Sequence, residues 1–115
     1  MSRFVYADNA ATTPMSESVY NAMKPWLTEF YGNPSSLYRI GNEARRAMQD
    51  ARAKVAKALN AADPSEIIFT GGGSQADNLA ITGFVKGASA RGRRHIITSR
   101  IEHHAVLYTC EALED

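Results

Sequence analysis

The segment from Ile67 to Ile81 constrains the fold more than any other, because three consecutive glycines join a short apolar run to a helix-forming run. Ile67 to Phe69 predicts a strand, and Thr70 to Ser74 (TGGGS) predicts a tight elbow. The residues from Gln75 to Lys86 then predict a helix. A strand, a glycine-rich turn and a helix in direct succession are typical of a mostly parallel sheet flanked by helices. The chain is therefore predicted to have an α/β fold.

Two further helices are predicted before this segment. Ser16 is a suitable N-cap for the first, and Pro25 is expected to kink or interrupt it. The second is predicted from Asn42 to Leu59, with a charged outer face. The apolar faces are predicted to be Val19, Met23, Trp26, Leu27 and Phe30 in the first helix, and Ala44, Met48, Ala51, Val55 and Leu59 in the second.

A short extended stretch is predicted at Phe4 to Ala7, and a second strand at His95 to Thr98. A last helix is predicted to begin near His104 and to be still running at Asp115, since no stop signal follows it. Two secure strands do not make a stable sheet, so the fold is expected to be a truncated part of a larger one.

Composition excludes several classes of protein. Thirteen Lys and Arg against 12 Asp and Glu give a formal charge of +1, which favours neither a nucleic-acid nor a membrane-surface partner. No run of about 18 apolar residues and no signal peptide is found. Cys110 is the only cysteine, which excludes a disulfide framework and a cysteine-based zinc site within the chain. A cytoplasmic location is the expectation.

The glycine elbow is a candidate anion site. Helix starts present unpaired N–H groups and the positive end of the helix dipole, so the Gly73 amide and the Ser74 hydroxyl can both donate to a phosphate oxygen. The alternative, in which the glycines only turn the chain and Ser74 only caps the helix, has about equal weight. The spacing matches neither a P-loop nor a dinucleotide-binding motif.

Histidines follow the next predicted strand. Ligands of parallel sheets bind beyond the carboxyl ends of the strands, so His103 and Ser74 are expected to line one crevice. Adjacent side chains such as His103 and His104 diverge, which disfavours a zinc site, and no metal is expected. A histidine at a helix start is also commonly a cap.

Four blocks in series resemble the cysteine desulfurases, which are pyridoxal 5′-phosphate (PLP) enzymes of the class V aminotransferase type. They are ADNAATTP at 7–14, GNPSS at 32–36, IIFTGGGSQADNLAI at 67–81 and HIITSRIEHHAVLYTC at 95–110. In order and spacing they span nearly the whole chain. The resemblance implies that residues 1–115 are the N-terminal segment of a PLP-dependent transferase domain, with an N-terminal arm and substrate-side loop at about 1–15.

The resemblance also implies roles for individual residues. Gly73 and Ser74 match positions that hold the cofactor phosphate, and His103 matches the histidine that stacks on the pyridine ring and moves protons. Asn9, Ala10 and Ala11 match a loop near the substrate. His104 matches no site residue of the family. Tyr38 stands where the family often has histidine.

The implied reaction converts L-cysteine to L-alanine and passes the sulfur, as an enzyme persulfide, to an acceptor protein for iron–sulfur cluster assembly. A homodimer is implied. The family's PLP lysine, pyridinium partner, nucleophilic cysteine and carboxylate-binding arginine match no position here, so these 115 residues alone are expected to be inactive and Cys110 to be a packed thiol. Two alternatives remain: a selenocysteine lyase or other class V enzyme, and a non-catalytic binding or dimerisation module.

Overall fold

The computed structural model describes residues 3–114 and has four α-helices over that range. Their bounds are α1 Glu17–Thr28, α2 Arg39–Ala58, α3 Gly73–Ser89 and α4 His104–Glu111, with a short 3₁₀ helix at Pro64–Glu66. None of these helices is both long and apolar enough to span a membrane. The start of the predicted N-terminal arm, residues 1 and 2, and the end of the predicted last helix, residue 115, lie outside the described residues. The contacts divide the chain into two compact units, one ending at Glu66 and one beginning at Ile67.

The predicted strands are absent from residues 3–114. Phe4–Ala7, Ile67–Phe69 and His95–Thr98 are extended or irregular segments that form no ladder with one another. A strand exists only beside a hydrogen-bonded neighbour, and an isolated pair of short strands is marginal in water. Side chains that a parallel sheet would bury are instead exposed, with Ile68 at 67% and Ile97 at 88%. The predicted sheet is therefore not confirmed for residues 3–114.

Helix α1 begins as predicted. The Ser16 side chain accepts a hydrogen bond from the Val19 N–H at 3.4 Å. Pro25 does not interrupt the helix, which continues to Thr28. The carbonyl of Pro25 accepts bonds from Glu29 at 2.8 Å and Phe30 at 2.9 Å, at the end of the helix. The predicted apolar face is not buried: each of its five side chains is at least 43% exposed.

Helix α2 begins at Arg39, three residues before the predicted start, and the GNPSS block packs against its first turns. Gly41 is buried there, and a Cβ atom on it would lie 2.6 Å from the Asn33 carbonyl oxygen and 2.7 Å from that of Ser36. Arg45 donates from Nε to the Pro34 carbonyl at 2.8 Å and from Nη2 to the Ser36 carbonyl at 3.0 Å. The loop is thereby fixed to the helix.

The buried residues of α2 are Gly41, Ala44 and Ala56, so only Ala44 of the predicted apolar face is buried. Leu59, the last residue of that face, is 69% exposed. The helix ends in a Schellman arrangement, in which Asn60 has a φ of 55° and the Ala61 N–H donates to the Ala56 carbonyl at 2.9 Å. This turn leads to the 3₁₀ helix, which contacts α2.

In the second unit, α3 packs against α4. Helix α3 is longer than predicted at both ends, and Gly92 forms the turn after it with a φ of 77°. Helix α4 ends at Glu111 and does not continue as predicted. The amides of Leu113 and Glu114 bond to carbonyls three residues back, at 3.0 and 3.1 Å, which is the tightening of a last helical turn.

Candidate functional site

Helix α3 begins at a turn in which no side chain caps the first backbone N–H groups of the helix. Gly72 is the N-cap residue and provides no side-chain bond. Ser74 is the second residue of the helix, so the interpretation of Ser74 as the cap was wrong. Within the described residues the Ser74 hydroxyl makes no hydrogen bond, and Ser74 is exposed.

Two side chains hold the glycine elbow. Gln75 Oε1 accepts from the Gly71 N–H at 2.8 Å, and the Thr70 hydroxyl donates to the Gly72 carbonyl at 3.1 Å. The first intrahelical bond is made by Ala76, at 3.1 Å from its N–H to the Gly72 carbonyl. The N–H groups of residues 73–75 therefore have no acceptor in the helix. A Cβ atom at position 72 or 73 would meet nothing within 4 Å, so a ligand can approach this turn closely.

The start of α4 is capped by an imidazole. His103 is the N-cap residue, with φ −61° and ψ 147°, and its Nδ1 accepts from the Ala105 N–H at 3.1 Å. In a neutral ring the proton then resides on Nε2. The preceding loop is held by the Ser99 hydroxyl, which donates to Glu102 at 2.9 Å. The placement of residue 103 just before the helix and of residue 104 within it is confirmed.

An open cleft of about 340 Å³ lies where the first turns of α3 and α4 meet. That volume is at the lower end of the range of about 300–1,000 Å³ for small-molecule sites. Its lining residues are Ser74, Asn78, His103, His104, Ala105, Tyr108, Thr109 and Ala112. Ser74 and His103 thus share one crevice as the sequence predicted, but two packed helices bring them together and not a parallel sheet. Gly73 lies directly beside the lining.

Three lining side chains were not predicted. The His104 ring stacks on Tyr108, with centroids 5.0 Å apart and planes 13° from parallel. The Asn78 side-chain amide donates to the Ser74 carbonyl at 2.8 Å. Asn78 follows the predicted Ser74 by four positions, so an i, i+4 search from Ser74 would have found it. Tyr108 has the same spacing from His104, to which no site role was assigned. Thr109, buried to 6% exposure, follows Ala105 by the same spacing.

The remaining residues with predicted functions lie elsewhere. Asn9, Ala10 and Ala11 belong to the unit that ends at Glu66, in an exposed turn where the Ala11 N–H donates to the Asp8 carbonyl at 3.1 Å. Cys110 is half-buried and lines a different cavity with Leu107 and Glu111. Residues 3–114 contain no group of three or more His, Cys, Asp or Glu that could hold a metal ion.

The cleft fits the phosphate and ring of PLP. Its lining includes three hydroxyls, those of Ser74, Tyr108 and Thr109, and two imidazoles but no carboxylate. A phosphate near Ser74 therefore meets donors and no like charge. The first-turn amides of α3 add further donors, in the arrangement that phosphate groups favour. No lysine belongs to the lining, and the residues here therefore fit non-covalent binding of that cofactor.

Known proteins with similar sequences include two cysteine desulfurases. The chain is 54% identical over 114 residues to "Cysteine desulfurase IscS" of Dictyoglomus turgidum, covering 99% of this chain and 28% of that protein. It is 53% identical over 110 residues to the protein of the same name in Methanosarcina thermophila, covering 96% and 27%. The chain therefore spans little more than a quarter of the length of these relatives.

Two solved structures are also similar to the chain. A NifS-like protein matches with a TM-score of 0.83 and 41% identity, over 93% of this chain and 29% of that one. DndA from Streptomyces lividans matches with a TM-score of 0.75 and 40% identity, over 96% and 30%. The model of the aminotransferase class-V family matches residues 5–115. The chain thus belongs to the aminotransferase class-V family.

Proposed function

We propose that the protein containing this chain is a PLP-dependent cysteine desulfurase. The observation that carries the proposal is the single cleft lined by Ser74 and His103, at the starts of two packed helices. The names of the relatives in Dictyoglomus turgidum and Methanosarcina thermophila support the choice of L-cysteine as substrate. In the reaction the carbon–sulfur bond of cysteine breaks and an enzyme thiol forms a sulfur–sulfur bond. The products are L-alanine, whose methyl carbon takes a proton, and an enzyme persulfide.

Ser74 and the first turn of α3 would bind the phosphate of PLP. The Ser74 hydroxyl and the N–H groups of residues 73–75 are donors that the helix does not use, and the helix dipole adds positive potential at the same point. Gln75 supports this turn by accepting the Gly71 N–H. The chain thereby fixes one end of the cofactor, which supplies an electron sink for the reacting amino acid when bound.

His103 would lie against the cofactor ring and hold or move a proton at Nε2. Its Nδ1 is used by the Ala105 N–H, so Nε2 is the nitrogen available to a ligand. The cap bond also fixes the ring orientation, since rotation about the side-chain bonds would break it. A histidine held in this way can accept and donate a proton at a fixed position.

The finer features of the proposal concern the intact protein. Asn9, Ala10 and Ala11 would form the substrate-side loop of an N-terminal arm at about residues 1–15. The segments Ile67–Phe69 and His95–Thr98 would join a mostly parallel sheet with further chain as neighbours, which is supported by their exposed apolar side chains. We further propose a cytoplasmic homodimer that passes sulfur to an acceptor protein for iron–sulfur cluster assembly.

The experiment is turnover by the protein expressed from its complete gene. With PLP and L-cysteine it should release alanine and, in the presence of a thiol reductant, sulfide in equal amounts. L-selenocysteine tested in parallel identifies a selenocysteine lyase if only that substrate reacts. PLP binding without turnover of either amino acid would contradict the proposed reaction, and failure to bind PLP would favour a non-catalytic module.

A further inference from the structure

Ala105 is the point at which three side chains of the cleft meet. Its N–H donates to His103 Nδ1 at 3.1 Å. Its carbonyl accepts from the Thr109 hydroxyl at 2.6 Å and from the Asn78 side-chain amide at 3.5 Å. The first turn of α4 is thus tied at one residue to the histidine before it, to the buried threonine after it and to α3.

Asn78 connects this point to the start of α3. Its Nδ2 atom also donates to the Ser74 carbonyl at 2.8 Å, and because a side-chain amide has two N–H donors, both bonds can form together. Within the described residues, no other side-chain hydrogen bond joins α3 to α4. Asn78 therefore bonds to both Ser74 and Ala105, and Ala105 bonds to His103. The backbone of Ala105 completes the connection between Ser74 and His103.

The bond from Asn78 to Ser74 is by itself an ordinary local feature, because polar side chains in helices often bond to the carbonyl four residues back. The bond to Ala105 is different, since it spans 27 positions of the sequence. Its acceptor belongs to the residue whose N–H donates to His103 Nδ1. A merely local role for Asn78 would not require it. The two contacts can be separated experimentally.

We propose that Asn78 is a positioning residue that sets the spacing between Ser74 and His103. Its amide holds the first turn of α4 against the first turn of α3, so that the imidazole is kept at a fixed distance from the phosphate donors. The inference rests on the proposed function, because the spacing matters only to a ligand that contacts both turns. Asn78 itself need not touch that ligand.

The test compares two ligands that differ in length. Pyridoxine 5′-phosphate spans the ring and phosphate positions and has no aldehyde to react with lysines, whereas inorganic phosphate reaches only the start of α3. Asn78→Ser keeps a hydroxyl that can bond to the Ser74 carbonyl but cannot reach Ala105. In the intact apoprotein, calorimetric titration should show pyridoxine 5′-phosphate bound about 3- to 10-fold more weakly, the loss of one hydrogen bond, with phosphate affinity unchanged.

Asn42→Ala is the matched control, because the Asn42 amide also donates to a backbone carbonyl, that of Leu37 at 3.1 Å, but in the first unit. It should leave both affinities unchanged. Asn78→Ala removes both bonds and should weaken pyridoxine 5′-phosphate binding at least as much as Asn78→Ser does. A ¹H–¹⁵N spectrum of the His103 ring should show the Nε2–H form in the parent and broadened ring signals in both Asn78 variants.

Equal binding of pyridoxine 5′-phosphate by parent and Asn78 variants overturns the inference and leaves the proposed function standing. Equal weakening of both ligands also overturns it, since Asn78 would then support only the start of α3. A parent apoprotein that binds neither ligand overturns the proposed function, and the inference with it.

Discussion

The ring of His103 and the backbone of Ala105 share a hydrogen bond of 3.1 Å that makes one side chain both the cap of α4 and part of the cleft lining. Nδ1 is committed to the helix, which leaves Nε2 for chemistry. A substitution at this position therefore changes two properties at once, the stability of the helix and the proton-carrying group. A variant that keeps one property and removes the other separates them.

The first prediction uses His103→Asn and His103→Ala in the intact enzyme. Asparagine is a good N-cap but cannot exchange protons, so His103→Asn should keep the parental thermal stability and lose most sulfide release while PLP still binds. Alanine loses the cap as well, at a cost of about 0.5–2 kcal/mol in the free energy of unfolding. Thermal melts and sulfide assays on both variants check this. Parental activity in His103→Asn would remove His103 from the mechanism.

The second prediction is that His104→Ala retains nearly parental activity. His104 also lines the cleft, but its ring is stacked on Tyr108 at 5.0 Å. Its loss should therefore affect local packing more than proton transfer. The sulfide assay used for His103 checks this prediction. A loss of activity as large as that of His103→Ala would show that His103 is not the functional histidine by itself.

The third prediction concerns the phosphate. Ser74→Ala in the intact enzyme should weaken PLP binding by about 1.5–3 kcal/mol, the value of a hydrogen bond to a charged group. Ser74→Thr keeps a hydroxyl and should bind PLP with the parental affinity. Gly73→Leu should weaken binding more, without a matching loss of stability, because a Cβ atom there meets nothing within 4 Å of the folded chain. Titration of the apoenzyme with PLP, beside urea unfolding, measures both effects. Unchanged affinity in Ser74→Ala and Gly73→Leu would mean that the elbow is only a turn.

The fourth prediction compares two glycines in helices. Gly41→Ala should destabilise the protein by about 1–3 kcal/mol, because its Cβ would lie 2.6 Å from the Asn33 carbonyl oxygen. Gly83→Ala should stabilise it by about 0.5–1 kcal/mol, since that position has open space and alanine is the better helix former. Urea unfolding of both variants provides the measurement. A Gly41→Ala variant as stable as the parent, or more stable, would show that the GNPSS loop does not pack on α2 as described.

The fifth prediction is a pH dependence at Asp63. Hydrogen bonds from the side chain and the backbone of Ser65 hold the pKa of Asp63 below its ordinary value, and the Ser65 N–H lies 2.7 Å from Oδ1. A carboxyl with a lowered folded-state pKa stabilises the fold at pH above its unfolded-state pKa, and this is lost as the pH falls through the folded-state pKa. Carboxyl NMR titration should show the low pKa, and Ser65→Ala should raise it. An identical titration in both proteins would contradict the assignment to Ser65.

Local signals in the sequence predicted the helices well. Ser16 caps α1, the glycine elbow leads into α3, and residue 103 precedes α4, because capping and turn chemistry act between residues close in sequence. The apolar faces were predicted from the same periodicity but are largely exposed, as Leu59 shows. Periodicity tells which face is apolar, whereas burial depends on what packs against it.

The sheet could not be derived from the chain by itself. An apolar run such as Ile96 to Thr98 becomes a strand only when a neighbour supplies hydrogen bonds, and that neighbour is a non-local feature. The crevice shared by Ser74 and His103 was nevertheless predicted, although it was expected at the edge of a sheet and the structure forms it between two packed helices. Asn78 was missed because its importance depends on Ala105, a residue with no functional side chain.

Trp26 is the only tryptophan of the chain; its ring lies 5.2 Å from that of Phe30 and is 43% exposed on α1. Indole emission moves to shorter wavelength when water around the ring is replaced by apolar groups. The indole fluorescence of the 115 residues therefore reports on one side of one helix. If another part of the polypeptide or a second subunit packs on this side of α1, the emission maximum should shift to shorter wavelength. The shift can be measured without an added label.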